Sequence, residues 1–243
     1  MLATTHGTIE SAQLRRFSCI PARTDDLTHS LPEGKVRVVS AKEHVYREGD
    51  PATHVYRVEA GHVCIYRGLP DGRRQIVNFA YPGDFIGLGA IREHAASAQA
   101  GAKTRLRSFP VAGLQDSARR DTTLGLRLYA AVSEELAAAH DLLMTVSHRS
   151  AGERLAAFLL ALSRRNGRRG ENVCEIVLPM TRTDIADFLG LTIETVSRTF
   201  TKFRIEGLID LEQCILVTIR DIDALEMAAG NGASSEQHLK MAS

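Results

Sequence analysis

Residues 179–208 read PMTRTDIADFLGLTIETVSRTFTKFRIEGL, and the local chemistry of this stretch decides how the chain is read. Thr181 followed three residues on by Asp184 has the form of a capping box, in which hydroxyl and carboxylate satisfy the first orphan N–H groups of a helix. A helix is therefore expected to start near Arg182. Ile185, Ala186, Phe188 and Leu189 supply its apolar face, and Gly190 stands where a left-handed C-cap needs a residue without Cβ. Thr192 then caps a second helix with two stripes at helical spacing: Val196, Phe200 and Phe203 on one side, Glu194, Ser197, Arg198 and Thr201 on the other. Two helices joined by a tight glycine turn, the second presenting Glu, Ser and Arg, form a helix-turn-helix. Arg can fork onto guanine O6 and N7, Glu can accept from the cytosine amino group, and Ser suits either, so such a face can read bases in a major groove. Ile193, Glu194, Ser197 and Arg198 are the expected base-reading residues. Thr181, Arg182, Thr183, Thr192, Thr195, Thr201 and Lys202 are the expected phosphate contacts, because hydroxyls and exposed N–H groups at helix starts suit anions.

Overall charge does not support this reading by itself. Residues 150–229 hold 10 Lys plus Arg against 12 Asp plus Glu, a net of −2, so DNA binding rests on the placement of Arg182, Arg198, Lys202 and Arg204. The 243 residues suffice for two modest domains. With 44% hydrophobic and 24% charged residues, and no run of the roughly 18 apolar residues a membrane helix needs, the composition is that of a soluble globular protein. The N-terminal stretch lacks the apolar core of a signal peptide, so a cytoplasmic protein without membrane partners is expected. Cys19, Cys64, Cys174 and Cys214 are widely spaced and include no CxxC, which argues against a disulfide framework or thiolate metal site. Cys214 alone is a redox candidate, since it falls in the expected wing hairpin near DNA.

Upstream, Lys35 to Leu114 consists of short β-rich runs cut by turn signals at Gly49-Asp50, Gly61, Asp71-Gly72 and Pro82-Gly83, the pattern of an antiparallel sandwich or barrel. His44, His54 and His62 lie within it. They lack the close pair of a cupin-like metal centre, and the expectation is surface histidines on strands with no metal. Asp121 to about Ser147 reads as one long helix. Tyr129, Leu136 and Leu143 recur every seven residues and Val132, Ala139 and Val146 interleave with them, giving a coiled-coil seam that calls for a partner or for packing onto its own domain. Ser150 and Glu153 form a second capping box opening the C-terminal domain. Residues 164–172, RRNGRRGEN, read as a solvated loop. LIDL and ILVTI around Cys214 read as a two-stranded wing, and residues 230–243 as a disordered tail.

The run TRTDIADFLGLTIETVSR resembles the DNA-reading motif of the CRP/FNR superfamily of bacterial transcription regulators, in its FNR and FixK branch. The cyclic AMP receptor branch has an arginine where Ile193 stands and a glycine where Ser197 stands. The resemblance implies an α+β fold with an antiparallel, cyclic-nucleotide-binding-like β-roll (31–118), a dimerisation helix (119–148) and a winged helix-turn-helix domain (149–229), between the tail and an N-terminal extension (1–30) that shows no sustained period and reads as loosely held. It implies a homodimer on a TTGAT-N4-ATCAA palindrome, activation through RNA polymerase, and no enzyme activity. The stretch GDFIGLGAIREHAASAQAGAKT resembles the superfamily's phosphate-binding cassette. Asp84 and Ser97 occupy two of its positions, but Ala96 stands where the arginine belongs. An iron–sulfur cluster needs four thiolates; only Cys19 lies near the N-terminal ligand cluster, and Arg107 takes the internal ligand's place. No cofactor is expected. Two rival readings are a regulator of the same family gated by an unidentified ligand or redox signal, and a cupin-like metalloenzyme with an accessory helical domain.

Overall fold

The computed structural model describes residues 31, 33–90, 92–213 and 215–230. The extension 1–30, the tail after Gly230 and Cys214 lie outside the described residues. Eight short strands come first: β1 (Lys35–Val39), β2 (His44–Tyr46), β3 (His54–Ala60), β4 (Val63–Gly68), β5 (Arg74–Ala80), β6 (Phe85–Ile86), β7 (Ser97–Ala100) and β8 (Thr104–Pro110). They make two four-stranded antiparallel sheets, ordered β1-β8-β3-β6 and β2-β7-β4-β5. Val39, Val58, Val63, Ile86 and Leu106 from both sheets share one core, as period-2 alternation requires. Asp71-Gly72 closes the β4–β5 hairpin, with Gly72 at φ +82°.

A helix that the sequence pattern did not signal follows: α1 (Val111–Arg120). Asp121 separates it from the long helix α2 (Thr122–His148), its carboxylate accepting from the N–H groups of Thr123 and Leu124 and so starting a new helix. Leu124, Ala131, Ala138 and Thr145 form the buried face of α2. The predicted seam lies elsewhere on the helix: Tyr129, Leu136 and Leu143 are exposed by 74%, 57% and 60%, Val132 and Ala139 are also exposed, and Val146 is partly covered. In this single chain, packing on its own domain therefore leaves a large apolar stripe in water.

The C-terminal part comprises α3 (Ala151–Arg168), β9 (Glu175–Val177), α4 (Arg182–Leu189), α5 (Ile193–Ile205), β10 (Ile209–Glu212), β11 (Leu216–Ile219) and α6 (Ile222–Ala228). The wing has three strands in the order β10-β11-β9, not two, because β9 pairs antiparallel with β11. The arginine-rich run is likewise not a solvated loop. Its residues up to Arg168 are helical, and Arg165 is buried, donating to both carboxylate oxygens of Asp84 at 2.8 and 3.1 Å with its guanidinium 4.4 Å from the Tyr81 ring centre. The loop expectation fails because the partner that draws Arg165 inward belongs to the β-roll.

The two parts of the chain share a second core. Phe79 of β5 meets Phe158 of α3 and Phe188 of α4, with ring centres 6.4, 5.2 and 5.6 Å apart around the triangle. Such tilted aromatic pairs contribute about 0.5–1.5 kcal/mol each beyond burial. Around them, Arg74 pairs with Asp184 and Asp187 of α4 at 2.5 and 2.8 Å, and the Gln75 amide donates to the carbonyls of Asp187 and Phe188. The β4–β5 hairpin thus fixes the first helix of the helix-turn-helix onto the roll.

Of the three histidines, His44 bonds the Tyr66 hydroxyl at 2.8 Å and His54 the Thr53 hydroxyl at 3.0 Å. His62 does not sit on a strand surface: it is buried in the β3–β4 turn, where Gly101 leaves room for a ring that any Cβ there would strike.

Candidate nucleic-acid interface

Local sequence places the interface as expected. Thr181 accepts from the N–H of Asp184 at 3.1 Å, and the Asp184 carboxylate accepts in return from the N–H of Thr181 at 2.9 Å. This box starts α4 at Arg182. Gly190, at φ +62° and ψ +42°, ends it in the left-handed region and turns the chain into α5. The Thr192 hydroxyl accepts from the N–H of Thr195 and caps α5. Val196, Phe200 and Phe203 are buried against the domain, so the opposite face of the helix must point outward.

That outward face carries Glu194, Ser197, Arg198, Thr201, Lys202 and Ile205, all exposed, spaced i, i+3, i+4, i+7, i+8 and i+11. Ile193 is exposed beside them at the helix start. Hydrogen bonds from its own backbone N–H and from Thr192 hold the Glu194 carboxyl below the usual carboxylate range, so it stays an acceptor. The face also has little internal chemistry to break. Thr201 donates to the Ser197 carbonyl, and the Lys202–Glu206 contact is a loose 3.8 Å pair.

Among the expected phosphate contacts, Thr181, Thr183 and Thr192 are positioned at helix starts and Thr195 is held by the Thr192 hydroxyl. Arg182 differs. Its guanidinium lies 3.4 Å from the ring centre of Phe200, so it is stacked between α4 and α5 instead of reaching into solvent. Sequence spacing could not reveal this, because Arg182 and Phe200 meet only through the turn.

Residues 153–228 match the Crp-like helix-turn-helix domain family and residues 36–121 the cyclic nucleotide-binding domain family. The nitrogen fixation regulation protein FixK of Bradyrhizobium diazoefficiens is 38% identical over 203 residues, covering 84% of this chain and 80% of its own. This chain is a CRP/FNR-family transcription regulator of the FixK type. The transcriptional activatory protein AadR of Rhodopseudomonas palustris is 43% identical over 169 residues, 69% of this chain and 70% of its own. The solved structure of FixK2 from Bradyrhizobium japonicum superposes with a TM-score of 0.76 at 34% identity, covering 80% of this chain and 96% of that chain. As a FixK-type regulator, the chain binds DNA through its helix-turn-helix and is not an enzyme.

The cyclic nucleotide implied by the N-terminal family does not fit the residues present. Asp84 lines no ligand cradle, correcting its assignment to the phosphate cassette: its carboxylate is buried and committed to Arg165 and the N–H of Tyr81. The Ser97 hydroxyl accepts from the N–H of Glu48. Ala96 supplies no cation, and inside the roll Tyr46 and His94 stack with ring centres 3.5 Å apart. An unpaired phosphate charge in that interior would cost several kcal/mol or more. The donor set also disfavours an iron–sulfur cluster: burial pushes the Cys64 thiol up to about 12, and Arg107 is bound to Glu59. Among the described residues, no group of His, Cys, Asp and Glu is placed to hold a metal ion, and no helix is long and apolar enough to cross a membrane.

Proposed function

We propose that this regulator is a cytoplasmic transcription activator that binds a TTGAT-N4-ATCAA-like palindrome as a homodimer, without cyclic AMP or an iron–sulfur cluster. The observation that carries the reading is the outward stripe of α5, where Glu194, Ser197 and Arg198 stand exposed on a helix anchored by Val196, Phe200 and Phe203. Arg198 addresses guanine and Glu194 the cytosine amino group, while Ser197 and Ile193 shape the contact between them. Lys202, Thr201 and the threonines at the two helix starts supply phosphate contacts. The stripe Tyr129, Val132, Leu136, Ala139, Leu143 and Val146, exposed but for the half-covered Val146, supports a parallel pairing of α2 helices. That pairing would set the two α5 helices about 34 Å apart, one turn of B-DNA. In this division residues 31–118 are the sensor-like roll, 119–148 the dimerising segment and 149–229 the reading domain. Activation follows the relative AadR and requires contact with RNA polymerase. The test is a gel shift in air with untreated, ligand-free protein on a TTGAT palindrome. Sequence-specific binding unchanged by cyclic AMP is expected; binding that appears only with cyclic AMP, or only after anaerobic cluster assembly, would overturn the reading.

A further inference from the structure

The outer face of the sheet β1-β8-β3-β6 carries a charge arrangement that neither DNA reading nor the fold requires. Arg57 of β3 and Arg107 of β8 are directly opposed in the strand register, where like charges repel. Arg105 stands two residues from Arg107 on the same face, and the two share one carboxylate, Glu59, at 2.9 and 2.6 Å. A fourth guanidinium comes from the reading domain: Arg169, at the C-cap of α3, donates to the Pro82 carbonyl and to Glu171 at 2.9 and 2.8 Å. All four arginines line a single cleft of about 610 Å³, and among the described residues lining it Glu59 is the only acid. Val36, directly across from Arg107 on β1, is 54% exposed at its edge. Burial weakens the hold of Arg57 on its proton, with Glu59 opposing this and Arg107 adding to it. Two arginines bound to one carboxylate, with a third opposed to one of them across the strands, favour an added anion, and planar guanidinium forks match phosphate oxygens two at a time.

We propose that this cleft binds a compact phosphate anion of two or more charges, with a diphosphate group as the recognised part. The site is separate from the α5 face and from the interior of the roll. It spans both parts of the chain, since Arg169 belongs to α3 and the other three arginines to the sheet. The ligand could be free diphosphate or the diphosphate of a nucleotide, and both sources present the same oxygens.

Isothermal titration of the full-length protein with inorganic pyrophosphate and, separately, with ADP at matched ionic strength tests this. Saturable pyrophosphate binding is expected, weakened by about tenfold or more in the double variant Arg105→Gln/Arg107→Gln and unchanged in Lys202→Gln, which alters only the DNA face. Arg105→Gln alone, at an exposed side chain, gives a smaller loss in the same direction and guards against misfolding of the double variant. Equal affinity for ADP assigns the site to the diphosphate alone, and tighter ADP binding adds a nucleoside contact; both support the proposal. No saturable heat with pyrophosphate would overturn it. So would binding lost in Lys202→Gln but kept in the double variant, or binding of a polyglutamate peptide without pyrophosphate, which would assign the cleft to an acidic protein surface. DNA binding is not measured, so these outcomes are independent of the gel shift.

Discussion

Replacing Arg165 with Met keeps the bulk of the side chain but strands the Asp84 carboxylate, which is only 5% exposed and loses both guanidinium bonds. Removing one partner of a buried pair costs about 3–5 kcal/mol, because the remaining charge is desolvated without compensation. For a chain of this size each kcal/mol moves the melting temperature by about 2–4 °C, so a drop of about 6–20 °C is expected. The penalty also acquires a pH dependence. Burial pushes the Asp84 carboxyl up, and Arg165 pulls it down. The upward push already prevails beside Arg165, and it grows once Arg165 is gone, so the folded carboxyl titrates still further above its unfolded value and folding takes up a proton. Stability of Arg165→Met should therefore fall as pH rises from about 5 to about 8. The chain has no Trp, so guanidinium unfolding is best followed by far-ultraviolet circular dichroism at both pH values. Adding Asp84→Leu should restore most of the loss, with a coupling energy of about 2 kcal/mol or more. A single variant within about 1 kcal/mol of wild type at both pH values, with the two substitutions additive, would show that the pair contributes nothing to holding the parts together.

Arg198→Ala should cost about 1–3 kcal/mol per half-site and flatten preference at one base pair in a selection experiment; a variant keeping the full wild-type base preference would put another residue in the groove. Lys202→Ala should weaken binding to all sequences alike and lower the salt slope by about one unit for each phosphate that the lysine neutralises. Arg182→Ala should act on stability, lowering it by about 0.5–2 kcal/mol through removal of the Phe200 stack; denaturant unfolding separates this from a phosphate role, which would show in the salt slope. Leu136→Lys with Leu143→Lys sets like charges along the α2 stripe, and light scattering should then report a monomer with steeply reduced DNA affinity.

What could be read from the sequence follows the distance over which each signal acts. Thr181, Asp184, Gly190 and Thr192 set helix ends through partners three or four residues away, and the start, stop and turn of α4 and α5 came out as expected. The stripes on α5 are equally local, since a period of 3.6 alone sorts Val196 and Phe200 from Glu194 and Arg198. Asp84 and Arg165 are 81 residues apart, and Arg74 and Asp184 are 110 apart. Nothing near either member of those pairs announces the other, so in sequence Arg165 is one more charge in a polar run. The burial of His62 is equally hidden from local sequence, because the space for its ring is made by Gly101, distant along the chain. The α1 helix escaped because Leu114 is its only fully buried residue, too little for a period to register.

The hold of the β4–β5 hairpin on α4 bears on how freely such regulators can exchange parts. The last carbonyls of α4 lack partners within their own helix, as at any helix end. Those of Asp187 and Phe188 are taken by the Gln75 amide of the roll, and those of Leu189 and Gly190 by Arg154 of α3. Half of this cap therefore belongs to the other part of the chain. A chimera that grafts residues 149–230 onto a foreign roll would inherit Thr181, Gly190 and the whole reading helix, yet it would leave two carbonyls, two carboxylates and the Phe188 ring facing whatever surface the new host presents. Modularity in this protein accordingly has its seam inside the hairpin: a graft that carries Arg74, Gln75, Phe79 and Asp84 with the reading domain moves a complete unit, and one cut at the linker after α2 does not.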